Sequence, residues 1–177
     1  RALLATVRLA VPIDDMEDYY STGSGTILTA EGHILTNYHV LYNEEEEKPY
    51  NSEGIIYVAV NPVDLRGLPV WTYQATLVRG DPVLDLAVIK VSAPIDEGAS
   101  LPANLGLTVI PRGDSSLLEI GDEVSALGYP GIGGASVTYT QGRISGFLDE
   151  DDDGVVDWLK TDAEINFGNS GGAAINS

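Results

Sequence analysis

The sequence predicts an all-β protein whose short strands fall into two groups. Three observations carry this expectation. β-type apolar runs recur along the whole chain, separated by Gly, Pro, Asn and Asp. No segment shows a sustained helical period. A turn-rich stretch near residues 93–104 separates the runs into sets of similar size. Regular short strands with such punctuation point to a sandwich or a barrel.

Taken in order, the first set reads as strands over 2–11, 23–29, 33–36, 55–60, 73–78 and 86–91. Ala30-Glu31-Gly32 is a tight-turn signal, so 23–36 reads as a hairpin. The second set covers 124–127, 137–139, 143–147, 156–161 and 173–175. Residues 1–98 and 99–177 are the expected domains. Two acidic segments interrupt the pattern, Glu44–Glu47 beside Pro49 and Asp149–Asp153 closed by Gly154, and both read as exposed loops.

With 177 residues, the chain is long enough to bury a real core. No run reaches the roughly 18 apolar residues that a membrane span needs. The chain opens on Arg1 and a short mixed run, not on a leader sequence, and so reads as a mature or trimmed piece of something longer. It contains no cysteine, which excludes disulfides and thiol chemistry. Its formal charge is −18, from 27 acidic and 9 basic residues. Such a surface repels phosphate, arguing against nucleic acid and anionic membrane as partners.

Serine-based acyl transfer needs a base, an acid to hold that base in one tautomer, and donors for the oxyanion. The only histidines are His33 and His39. His33 follows Gly32 at a hairpin corner, where a solvated side chain is expected; His39 sits where a strand gives way to a turn. Ser170 lies in Gly168-Asn169-Ser170-Gly171-Gly172, whose glycines permit positive φ and close approach. The amides of Gly168 and Ser170 can then meet one oxyanion, with Asn169 shaping the loop. Asp85 opens the apolar run 85–91, where a carboxylate is costly unless paired, and His39 can pair it. Asp81, four residues earlier, is the alternative.

Four segments resemble HtrA-type (DegP-like) serine proteases. GSGTILTAEGHILTNYHV, 23–40, is similar to their catalytic-histidine hairpin, and DPVLDLAVIKV, 81–91, to their catalytic-aspartate strand. TDAEINFGNSGG, 161–172, resembles their serine loop, with Phe167 where proline is usual. GDSSLLEIGDEVSALGYPG, 113–131, resembles the opening of their second barrel. The order His, Asp, Ser is that of chymotrypsin. The resemblance implies a chymotrypsin-like double β-barrel and a serine endopeptidase with the triad His39, Asp85 and Ser170. It implies an oxyanion hole from the backbone of Gly168, Asn169 and Ser170, with no cofactor required for catalysis. Polypeptide substrates, a bacterial extracytoplasmic location (periplasmic or secreted), and protein quality control or extracellular processing follow as expectations. A homo-oligomer is one expected assembly. The alternative is a non-catalytic member of the same fold that binds peptides or regulates.

Two features depart from the pattern. The chain stops at Ser177, before the strands that complete the second barrel in relatives, so an incomplete second barrel is expected, as in a fragment or processed chain. The acidic segment sets Asp149, Asp151 and Asp153 at positions 1, 3 and 5 of a calcium loop, with the Val155 carbonyl and Asp157 at 7 and 9. Position 12 is Lys160 where a bidentate Glu belongs, which leaves a looser Ca²⁺ site or a solvated acidic turn. Glu164, before the serine loop, either favours Lys or Arg on the acyl side of the scissile bond or points away.

Overall fold

The computed structural model describes residues 1–131 and 135–176; Ser177 lies outside them. The strands are β1 (Thr6–Pro12), β2 (Tyr20–Ile27), β3 (His33–Thr36), β4 (Tyr42–Asn43), β5 (Lys48–Pro49), β6 (Ile56–Val60), β7 (Val70–Asp81), β8 (Leu86–Pro94), β9 (Glu123–Gly128), β10 (Thr138–Leu148), β11 (Trp158–Thr161) and β12 (Ala173–Ile175).

Six of them close into a barrel in the order β1-β2-β3-β8-β7-β6. Alternation explains the closure. Val7, Leu9 and Val11 of β1 point inward and are buried, as are Ile27, Ile34, Val58, Ala75, Ile89 and Val91 from the neighbouring strands. Outward from β1, Arg8 lies over the Trp71 ring. The expected hairpin is present, with Thr26 opposite Leu35 and Ile27 opposite Ile34.

The second group forms an open four-stranded sheet ordered β11-β10-β9-β12. Together, a closed barrel and a curled half-barrel give the expected double-barrel architecture with its second half open.

Three local readings are corrected. Residues 2–5 form one helical turn rather than the start of a strand, because Leu4 and Ala5 both donate their N–H to the Arg1 carbonyl and Ala and Leu favour helix. β7 runs on to Asp81 and β8 to Pro94, because each supplies the other with a ladder partner. The segments 137–139 and 143–147 are one strand, β10. Gly142 does not break it: the residue pairs with Val124, and a side chain there would collide with Ala163. The Glu44–Glu47 run is exposed as expected, and forms the turn of a small ribbon, β4–β5.

Tyr129 fastens the two halves together. It is buried, its N–H donates to Ser24 Oγ at 2.9 Å, and its hydroxyl reaches the Thr6 carbonyl at 3.5 Å. Burial pushes its hydroxyl pKa from 10.0 up to about 12. A phenol whose pKa is raised on folding favours the folded state while neutral. Its contribution is intact below pH 10 and disappears as pH climbs through about 12. Alkaline titration of stability should therefore show an added loss of about 2 kcal/mol across that window, and Tyr129→Phe should remove it; an identical alkaline slope in both proteins contradicts the assignment.

Candidate active site

β3 ends at Thr36, and Asn37 leads into a single 3-10 turn, Tyr38–Val40, that carries His39. Across from it, residues 82–85 form the tight turn between β7 and β8, and Asp85 closes that turn at φ 50°. Asp tolerates this left-handed conformation better than most residues. Every oxygen of Asp85 is occupied. Oδ1 accepts the His39 backbone N–H at 2.9 Å, and Oδ2 lies 2.7 Å from His39 Nδ1 and 3.0 Å from Asn37 Nδ2. Its carbonyl accepts from Tyr38 N and Asn37 Nδ2. The imidazole is thus held by Nδ1, leaving Nε2 for other work, and the pair is partly open to solvent, at 43% for His39 and 31% for Asp85.

The competing readings resolve locally. Asp81 uses Oδ1 to accept from Val83 N and Leu84 N, so it caps its own turn. His33 Nδ1 pairs with Thr29 Oγ1 at the hairpin corner.

The serine loop takes its shape from the first barrel. Ser24 N–H donates to the Ser170 carbonyl at 2.8 Å, and Ser24 Oγ donates to the Gly168 carbonyl at 2.6 Å. Gly171 N–H donates to Asn37 Oδ1 at 2.5 Å. Gly171 has φ 79° and lies so close to the Ser24 carbonyl and Thr36 Oγ1 that no side chain fits. Gly168, at φ 99°, is pressed equally closely against the Tyr129 carbonyl.

Two peptide planes decide where the key amides point. The Phe167 carbonyl accepts from Gly131 N–H at 2.8 Å, and the Asn169 carbonyl from Gly172 N–H at 2.7 Å. In a trans peptide the N–H points opposite to the C=O. The N–H groups of Gly168 and Ser170 are therefore turned away from these internal anchors, and among the described residues neither has a protein acceptor. No hydrogen bond joins His39 to Ser170 among the described residues. Catalytic hydrogen bonds are often long before substrate arrives. Phe167 stands beside the loop at 98% exposure.

Residues 23–177, which contain all of these groups, match the trypsin-like peptidase domain. The chain belongs to that family. It is 34% identical over 167 residues to serine endoprotease DegS of Haemophilus influenzae, covering 93% of this chain and 41% of the relative. With DegS of Escherichia coli K12 the identity is 37% over 157 residues, covering 88% and 36%. A crystal structure of the serine endoprotease from Yersinia pestis superposes with a TM-score of 0.69 at 35% identity, covering 99% of this chain and 51% of that one. This trypsin-like domain thus spans well under half the length of the curated relatives and about half of the solved chain.

Two positioning side chains of the trypsin-like domain, Ser24 and Asn37, were not singled out by sequence reasoning. Both sit within the 23–40 segment, but their partners lie in distant loops. The acidic loop brings three carboxylates together. Carboxylate oxygens of Asp149, Asp151 and Asp153 lie within 4.8 Å of one another, and Asp157 is outside this group. Loop amides already use them: Asp149 accepts from Asp153 N and Gly154 N, Asp153 accepts from Val155 N, and Asp157 accepts from Glu150 N. Glu164 is exposed, and its carboxylate accepts from Asn166 Nδ2. No helix among the described residues is long and apolar enough to cross a membrane.

Proposed function

We propose that this chain is the catalytic region of a serine endopeptidase acting on polypeptides. The observation that carries the reading is the fully occupied Asp85 carboxylate, which holds His39 by both its backbone N–H and Nδ1. In this reading His39 Nε2 takes the Ser170 Oγ proton as Oγ bonds to the scissile carbonyl carbon. The oxyanion that forms accepts from the amides of Gly168 and Ser170. His39 then gives its proton to the departing amine as the C–N bond breaks, leaving an acyl-enzyme. Water, deprotonated by the same imidazole, releases the acid and restores Ser170. Asp85 stays ionised throughout and stabilises the imidazolium. Each role is supported by the anchoring of these groups, and the protease names of the relatives support the reaction class. Protein quality control or extracellular processing, in a bacterial extracytoplasmic setting, is the biological role that fits the bacterial relatives.

A fluorophosphonate probe tests this directly, since it reacts only with an activated serine. The full gene product should acquire one probe, located at Ser170 by peptide mass mapping, and should cleave unfolded casein. A full gene product that folds but neither labels nor cleaves is the non-catalytic scaffold instead.

A further inference from the structure

Asn37 touches two parts of the site at once. Its Nδ2 donates to the Asp85 carbonyl at 2.8 Å and to Asp85 Oδ2 at 3.0 Å, while its Oδ1 accepts from Gly171 N–H at 2.5 Å. The orientation of the amide is dictated by these neighbours. Turned over, it would set oxygen against two Asp85 oxygens and NH₂ against the Gly171 N–H, leaving every contact mismatched. Asp85 Oδ2 is also the atom that holds His39 Nδ1, so Asn37 and His39 share one acceptor. The two partners are 48 and 134 residues away in sequence.

We propose that Asn37 is a positioning residue that fixes the Asp85 carboxylate and the Ser170 loop in one register. The proposal rests on the serine-endopeptidase reading. A planar amide with its donor and acceptor at fixed separation transmits any shift of the residue 171 backbone to the acid, and so to the imidazole. It also keeps Asp85 Oδ2 from rotating out of line with Nδ1. Asn37 acts through Asp85 and Gly171 and makes no contact that would recognise a substrate.

The test uses the full gene product as parent, Asn37→Asp and Asn37→Leu, with active sites counted by fluorophosphonate titration. Asn37→Asp keeps an acceptor for Gly171 but opposes Asp85 with a like charge; Asn37→Leu removes both bonds. Each should lower kcat per titrated site about 10- to 100-fold, the size of a lost hydrogen bond to a charged group. KM should stay within about threefold of the parent, because only positioning is lost. Asn37→Asp should also move the acidic limb of kcat/KM to higher pH, because a second carboxylate favours the His39 imidazolium. Asp85 is the only charged group bonded to His39 among the described residues, so that limb reports this cluster. Should Asn37→Leu fail to fold, Asn37→Asp still supplies the pH reading. Variants that merely melt earlier, with kcat per site within about twofold of the parent and an unmoved acidic limb, overturn the proposal and leave the endopeptidase reading standing. A parent that cannot be titrated at Ser170 overturns that reading instead.

Discussion

Ser170→Ala should lower kcat on unfolded casein by about 10⁴-fold or more, leaving only what binding and the oxyanion donors can do. The fold should be indifferent to the change. Among the described residues, Ser170 is held through its backbone carbonyl, which accepts from Ser24 N–H, and alanine keeps that carbonyl. Residue 170 also has no positive φ to protect. The expected pattern is therefore an unchanged melting temperature, an unchanged KM and a collapsed kcat. The full gene product with Ser170→Ala cleaving casein at the parental rate would remove Ser170 from the chemistry altogether.

Asp85→Asn should be nearly as damaging, at about 10⁴-fold in kcat, and for a different reason. Asparagine has the size of aspartate and accepts the φ of 50° that residue 85 adopts. One side-chain oxygen can continue to accept the His39 backbone N–H. The NH₂ group then faces His39 Nδ1, which must become an acceptor, and the ring proton moves to Nε2. A histidine protonated at Nε2 cannot take the Ser170 proton. Hydrogen-bonded ring-proton resonances in NMR should report the tautomer change directly. Loss of activity with the parental tautomer retained would mean that Asp85 acts in some other way. Asp85→Ala is the poorer experiment, because alanine resists the left-handed backbone and mixes strain with chemistry.

How much of this was legible in the sequence depends on how local each feature is. The hairpin over 23–36 and the strand 173–175 were readable because Gly32 and Gly171-Gly172 punctuate apolar runs. The helical turn at 2–5 was not, since an Ala/Leu run has no period long enough to tell helix from strand. β10 was split in two because Gly142 looks like a breaker in one dimension. In three dimensions it is a strand residue with Ala163 pressed against it. The site shows the same division. His39, Asp85 and Ser170 stand out because their immediate neighbours are unusual for their chemistry. The resemblance already favours Asp85 over Asp81, and the structure adds the physical reason by turning Asp81 back on its own loop. Ser24 and Asn37 look ordinary in their local sequence, and their importance lies in partners 48 to 144 residues away.

The anchoring of the serine loop by Ser24, Thr36 and Asn37 has a consequence for anyone building chimeras within this family. The proposed nucleophile is encoded in the second half of the chain, while the mould that shapes its loop is encoded in the first. Grafting residues 99–177 onto a foreign first half would carry over the serine without the surface that gives it a working form. Such hybrids need residues 24, 36 and 37 to travel with the graft, which makes the two halves poor candidates for independent exchange.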